Sequence, residues 1–320
     1  MSYPKHKAIA RVLQWAVSLA ALAYITWRLV QFKDWEVFFD TLYHQRWQFS
    51  GILIFQLIFS AVNIGLESTK WHQLSGAIVR QSWHNTFYQV VKGIQTGMIT
   101  PARAGEPLVR GLLLPLGLRT KGFLLSATGS ILQNMVLMTG GMLGIILTQN
   151  HISGPSSTFS KLQKGIVDYS LITILAVAAA TIIVYVLIKI FKARPVIRQL
   201  ISHLRAIAQL GLRRILKVVG LTIARYAVYN FQLWLMLWFF GVSNSLADLG
   251  LIMTYYAAIT LLPTMAVADL GIRSSIALFL FGMLSPNSAG IVASVFLVWV
   301  INLALPSIVA IAMQPRDDTQ

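Results

Sequence analysis

The sequence has 320 residues, of which 56% are hydrophobic and 11% charged, with no cysteine and a net charge of +16. A soluble globular chain carries about 25% charged residues, so most of this chain must face hydrocarbon, and disulfides, thiolate metal sites and cysteine nucleophiles are excluded. In a soluble protein such positive charge would suggest nucleic acid; here it sits largely in loops, where it sets topology and meets anionic lipid heads, and no nucleic-acid partner is expected.

A transmembrane helix needs about 20 apolar residues. Lys5, Lys7 and Arg11 precede the first such run, 12–30. Ala21-Leu22-Ala23 resembles a signal-peptide cleavage site, but the run continues through Trp27 to Val30, a length that suits a retained span. Residues 31–48 set Lys33 and Arg46 against Asp34, Glu36 and Asp40, which suits the outer side. The second span is 49–65, and Lys70 and Arg80 follow it on the inner side. An apolar region at 87–116 is interrupted by Thr100-Pro101-Ala102-Arg103-Ala104-Gly105-Glu106, and Arg119 and Lys121 then lie inside. The third span is 123–148, with a Ser- and Gly-rich outer loop at 149–168 and a fourth span at 169–191.

Residues 192–217 hold Lys192, Arg194, Arg198, Arg205, Arg213, Arg214 and Lys217 and no acid, which marks a cytoplasmic loop. Within it, Ile197, Leu200, Ile201, Leu204, Ile207 and Ala208 recur at helical spacing after Pro195. This reads either as an amphipathic helix on the anionic leaflet or as a solvated connecting helix. The fifth span is 218–240. A second interrupted region, 250–284, is broken by 263–271, and the sixth span, 290–313, leads to a cytoplasmic end. Each interrupted region is either two short spans or one re-entrant hairpin, and both return the chain to its starting side. The expectation is an all-α, polytopic integral membrane protein of six spans plus two broken regions. It would be one transmembrane domain over 1–320, placed in the plasma membrane (bacterial inner membrane), with both termini cytoplasmic.

The order span, span, broken region, span occurs twice, in 1–148 and in 169–313. Three crossings per half put the second half upside down, the inverted-repeat arrangement in which broken helices mark a transporter's binding site. In the first break Pro101 is followed by Glu106 and Arg110; in the second Pro263 is followed by Asp269 and Arg273. In each, the arginine stands four residues after the acid, on one helical face. Thr100, Pro101, Gly105, Pro263 and Gly271 are the expected helix-break positions. An ionisable group at the bilayer centre costs about 2.5–3.5 kcal/mol on insertion scales. Of ten carboxylates, Glu67, Glu106 and Asp269 alone lie in or beside apolar segments. Arg103, Glu106, Arg110, Asp269 and Arg273 are therefore the expected substrate-facing set, with Glu67, Lys70 and Arg225 secondary. The competing reading makes the two acid–arginine pairs private salt bridges. No metal spacing, nucleotide loop or nucleophile elbow is present, so neither cofactor nor catalytic residue is expected.

The run Gly65-Leu66-Glu67-Ser68-Thr69-Lys70-Trp71 and GIQTGMITPARAGEPLVR from Gly93 to Arg110 resemble the lysylphosphatidylglycerol synthase transmembrane family. LPTMAVADLGIRSSIALFLFG from Leu262 to Gly282 resembles that family's second hallmark, with Ala268-Asp269 in place of paired glycines and Ser274 where an acid is common. The family includes the flippase half of the bacterial multiple peptide resistance factor, so the resemblance implies translocation of lipid between leaflets. Residues 314–320 alone follow the last span, so the soluble aminoacyl-transfer half is not expected. The expected partners are membrane lipids, above all anionic phospholipid. A membrane-embedded enzyme using Glu106 or Asp269 as acid or base, and a non-catalytic partner of another membrane protein, are the alternatives.

Overall fold

The computed structural model describes residues 35–100, 103–149, 210–261 and 269–315. Spans 12–30 and 169–191, most of loop 149–168, the amphipathic stretch 197–208, and Pro101 and Pro263 fall outside them. Among the described residues every regular element is helical.

Helix α1 (Trp35–His44) occupies much of the stretch read as an outer loop. Glu36 in its first turn and His44 in its last suit the helix dipole. Helix α2 (Arg46–Ser75) runs ten residues past the apolar stretch that predicted it. Its buried face passes through Ile52, Gln56, Ser60, Asn63, Glu67, Lys70, Trp71 and Leu74, polar from Gln56 to Lys70 and apolar at either end. Its outer face exposes Ile54, Phe55, Leu57, Ile58 and Val62. Such an inside-out pattern suits hydrocarbon, where polar side chains must find partners in protein.

Helix α3 (Trp83–Ile99) stops because Thr100 precedes a proline, which disfavours helical backbone; Thr100 is extended, at φ −105° and ψ 144°. The Thr100 hydroxyl bridges the break by donating to the Thr96 carbonyl at 3.0 Å and accepting from the Gly105 N–H at 2.9 Å. Arg103 lies within the break at φ 57°, a left-handed conformation uncommon for a side-chain-bearing residue. Helix α4 (Gly105–Leu112) then runs antiparallel along α3, since Gly93 approaches Arg110 while Gly97 approaches Glu106. Eight residues span about 12 Å against a core of about 30 Å. The α3–α4 pair is therefore a hairpin, and α4 is no second span.

After a 3-10 turn, α5 (Arg119–Gln149) packs against α4 and later elements. Helix α6 (Gly211–Phe239) packs on α2. Gly241, at φ 67°, closes α6: its N–H reaches the Trp238 carbonyl and that of Val242 reaches Leu237, a Schellman cap. Helices α7 (Leu249–Leu261) and α8 (Asp269–Phe281) stand on either side of residues 262–268, where the second break is expected. Gly271, expected at the break, lies inside α8. Helix α9 (Ser288–Trp299) continues through a π-helical turn at Val300–Ala304 into α10 (Leu305–Ala312). Pro306 follows that turn; it has no N–H to return to Asn302, and the wider turn absorbs the defect.

Among the described residues, three stretches are long and apolar enough to cross a membrane: Arg46–Ser75, Leu116–Thr148 and Ser288–Ala312. They coincide with the predicted second, third and sixth spans. The predicted fifth span lies in α6, whose 29 residues are long enough, though Arg225, Tyr226, Tyr229, Asn230 and Gln232 keep it less apolar.

Candidate functional site

The buried face of α2 places Glu67 where three helices converge. The Glu67 carboxylate is 2% exposed and receives three cations at 2.6 Å: Lys70 from the next turn, Arg110 from α4 and Arg225 from α6. Arg110 meets Oε1; Lys70 and Arg225 share Oε2. The other donors find neutral acceptors. Gln133 Oε1 on α5 accepts from Lys70 at 2.9 Å and from Arg225 at 2.8 Å. Asn63 Oδ1 accepts from Arg225 Nε at 2.6 Å, and Asn63 Nδ2 donates to Asn302 Oδ1 in the π turn at 3.2 Å. The remaining Arg225 nitrogen donates to the Tyr229 hydroxyl at 3.2 Å.

Glu106 forms a second station. It pairs with Arg103 and, at 3.4 Å, with Arg110. Its position depends on α3: a Cβ on Gly97 would lie 2.5 Å from Glu106 Cγ, and one on Gly93 would lie 3.1 Å from Arg110 Nε. Gly93 and Gly97 therefore form a groove into which the acid and base of α4 settle. Asp269 and Arg273 form a third pair, on α8, at 2.8 Å.

A cavity of about 440 Å³ lies beside these stations. Thr100 and Arg103 reach it from the first interrupted region, Asp269 and Arg273 from the second. Gln133, Arg225 and Asn302 form its polar floor, and Tyr226, Tyr229, Tyr255 and Tyr256 much of its wall. Arg110, Glu106, Glu67 and Lys70 do not line it; they stand behind it. Across the three stations, the three carboxylates Glu67, Glu106 and Asp269 face the five cations Lys70, Arg103, Arg110, Arg225 and Arg273. The assembly carries two positive charges in excess.

The set read from the sequence thus divides. Arg103, Asp269 and Arg273 face the cavity, with Arg225 from the secondary group. Glu106 and Arg110 sit one layer back, and Glu67 with Lys70 forms the hub that joins α2, α4 and α6. Thr100 and Gly105 hold the first break together. Asn63, Gln133 and Asn302 were missed. Each is an amide within an otherwise apolar span, and such a residue in hydrocarbon needs a partner across helices, so the signal was there.

The family model described as "Lysylphosphatidylglycerol synthase TM region" matches residues 14–310 of the chain. No curated protein and no solved structure gives a significant match.

Proposed function

We propose that this chain, which belongs to the lysylphosphatidylglycerol synthase transmembrane-region family, is a flippase that moves a phospholipid or lipid-linked amphiphile between leaflets. One observation carries the proposal. Both interrupted regions deliver charged side chains, Arg103 from one and Asp269 with Arg273 from the other, to a single cavity with surplus positive charge. About 440 Å³ fits a polar headgroup, and sites of 300–1,000 Å³ are usual for small ligands. The acyl chains would stay in lipid.

The inverted repeat is part of the same reading. Helices α2 and α6 cross antiparallel, as an upside-down second half requires: Phe49 meets Phe239, Gln56 meets Gln232, and Asn63 meets Arg225. The Gln56 and Gln232 side chains each donate to the other's backbone carbonyl, at 2.7 and 3.2 Å, as expected of residues flanking a two-fold axis. Helix α5 packs on α7, the first arm of the second half, and α10 packs on α3, the first arm of the first. These reciprocal pairings support two related halves and six spans, the first and fourth being 12–30 and 169–191.

What weighs against the enzyme reading, which gave Glu106 or Asp269 the role of acid or base, is that each of them holds a cation, as Glu67 does. No nucleotide site is legible, so movement would be passive, ion-coupled or partner-driven.

The test is purified protein in vesicles carrying headgroup-labelled phospholipids, with the outer leaflet bleached by an impermeant reductant. Bleaching beyond the outer-leaflet fraction is expected, and it should be lost in the Arg103→Gln, Arg273→Gln double variant. Bleaching that stops at the outer leaflet for every labelled lipid would sink the proposal. The cytoplasmic placement of both termini and of 192–217 is tested separately, with single cysteines at Ser2, Ser202 and Thr319 of this cysteine-free chain. Labelling of any of them in intact cells by an impermeant thiol reagent would contradict it.

A further inference from the structure

We propose that the headgroup taken by this cavity is a phosphate monoester carried on a lipid, a dianion without an ammonium group. The inference rests on the flippase reading and narrows it. It follows from the balance of charge among the side chains in and behind the cavity wall. Charges within a membrane protein pair with one another or face a polar cavity, and the described stations leave two positive charges without a carboxylate, with Arg103, Arg225 and Arg273 at the cavity wall. Residues 101–102 and 262–268, between the described helices of the two interrupted regions, contain no ionisable side chain. A phosphodiester headgroup supplies one negative charge. A phosphate monoester supplies about 1.5 to 2 at neutral pH, because its second ionisation falls near pH 6.

The arrangement of donors agrees. Arg103 is the most exposed member of the stations, with 37% of its side chain open, and its Nε has no hydrogen-bond partner among the described residues. Arg273 bonds Asp269 through Nε, and its side chain lines the same cavity. Guanidinium groups bind phosphate oxygens through paired N–H donors. Arg225 is spent on Asn63, Glu67, Gln133 and Tyr229, and supplies field more than contacts.

The charge balance also excludes. An ammonium-bearing headgroup needs a carboxylate with capacity to spare. Glu67 is shared by three cations, Glu106 by two, and Asp269 is held by Arg273. Adding a cationic headgroup would raise the surplus to three. Aminoacylated phosphatidylglycerol and phosphatidylethanolamine should therefore be poor ligands, and phosphatidylglycerol intermediate.

The experiment is competitive binding to the purified full chain in detergent, read by native mass spectrometry so that binding is scored without transport. The competitors are dioleoyl phosphatidic acid, phosphatidylglycerol, phosphatidylethanolamine and lysyl-phosphatidylglycerol, with inorganic phosphate as a soluble arm. Phosphatidic acid should bind about tenfold or more tightly than phosphatidylglycerol at pH 7.5. That preference should shrink as pH falls below about 6, where the monoester loses its second charge. Arg103→Gln should reduce the preference, with Arg273→Gln as a second variant should the first fail to fold. Asp269→Asn, which adds a surplus charge, should increase it. Equal or tighter binding of lysyl-phosphatidylglycerol would overturn the inference, as would a preference unchanged by pH and by all three substitutions. Binding of inorganic phosphate without binding of phosphatidic acid would overturn the lipid assignment. If phosphatidic acid binds as expected but no lipid crosses the bilayer, the flippase reading fails and this inference stands.

Discussion

The two interrupted regions share a sequence pattern, a proline, then an acid, then an arginine four residues on, yet they are used differently. In the first, Arg110 turns away from its own acid: it is 2.6 Å from Glu67 on another helix and 3.4 Å from Glu106. In the second, Asp269 and Arg273 meet each other at 2.8 Å and face the cavity. The first region is anchored in the core through Glu67; the second is a local pair in the cavity wall. A shared spacing guarantees that two residues can meet on one helical face. It does not say whether a better partner waits on the next helix.

The largest expected effect breaks the anchor. Glu67→Gln would leave Lys70, Arg110 and Arg225 buried without a full counter-charge, a loss of about 3–5 kcal/mol. Asp269→Asn leaves Arg273 without its carboxylate at the cavity wall, and a smaller loss of about 1–3 kcal/mol is expected. Thermal unfolding in detergent with matched expression checks this, and equal losses would erase the distinction between the two regions.

Next come the charge swaps. Glu106→Arg with Arg110→Glu sets a second carboxylate against Glu67, so the first region should lose about 2 kcal/mol or more, by the breaking of a buried pair. Asp269→Arg with Arg273→Asp keeps its pair, so stability should change little while the charges offered to the cavity exchange places. Detergent stability and lipid translocation, measured on both swapped proteins, would sharpen the contrast. A stable and fully active swap at 106 and 110 would show that Arg110 does not depend on Glu67.

The last contrast concerns the glycines, and its smaller member is the smallest effect expected. Gly97→Ala drives a Cβ to 2.5 Å from Glu106 Cγ, and an overpacking cost of about 1–3 kcal/mol is expected. Gly271→Ala meets nothing within 4 Å inside α8. It should be neutral or stabilising by about 0.5–1 kcal/mol, the usual gain of alanine over glycine in a helix. The two unfolding temperatures should therefore move in opposite directions.

From the sequence alone, hydropathy and scarce charge determined the helical membrane class. The spans at 49–65, 123–148 and 290–313 and the break at Thr100 were legible as well, because each is a local property of a short window. So was the rarity of Glu67, Glu106 and Asp269, since an acid in an apolar stretch is costly wherever it sits. Local windows could not show that α2 continues to Ser75: Leu66–Ser75 is polar, and it stays helical because Glu67 and Lys70 are paired inside protein. Nor could they rank Glu67 above Glu106, or bring Asn63, Gln133 and Asn302 into one network. Those facts depend on which helix faces approach across as many as 239 residues of sequence separation. Partner choice among buried charges is settled by distance and desolvation in three dimensions. Spacing along the chain fixes what each residue offers, and packing decides which offer is taken.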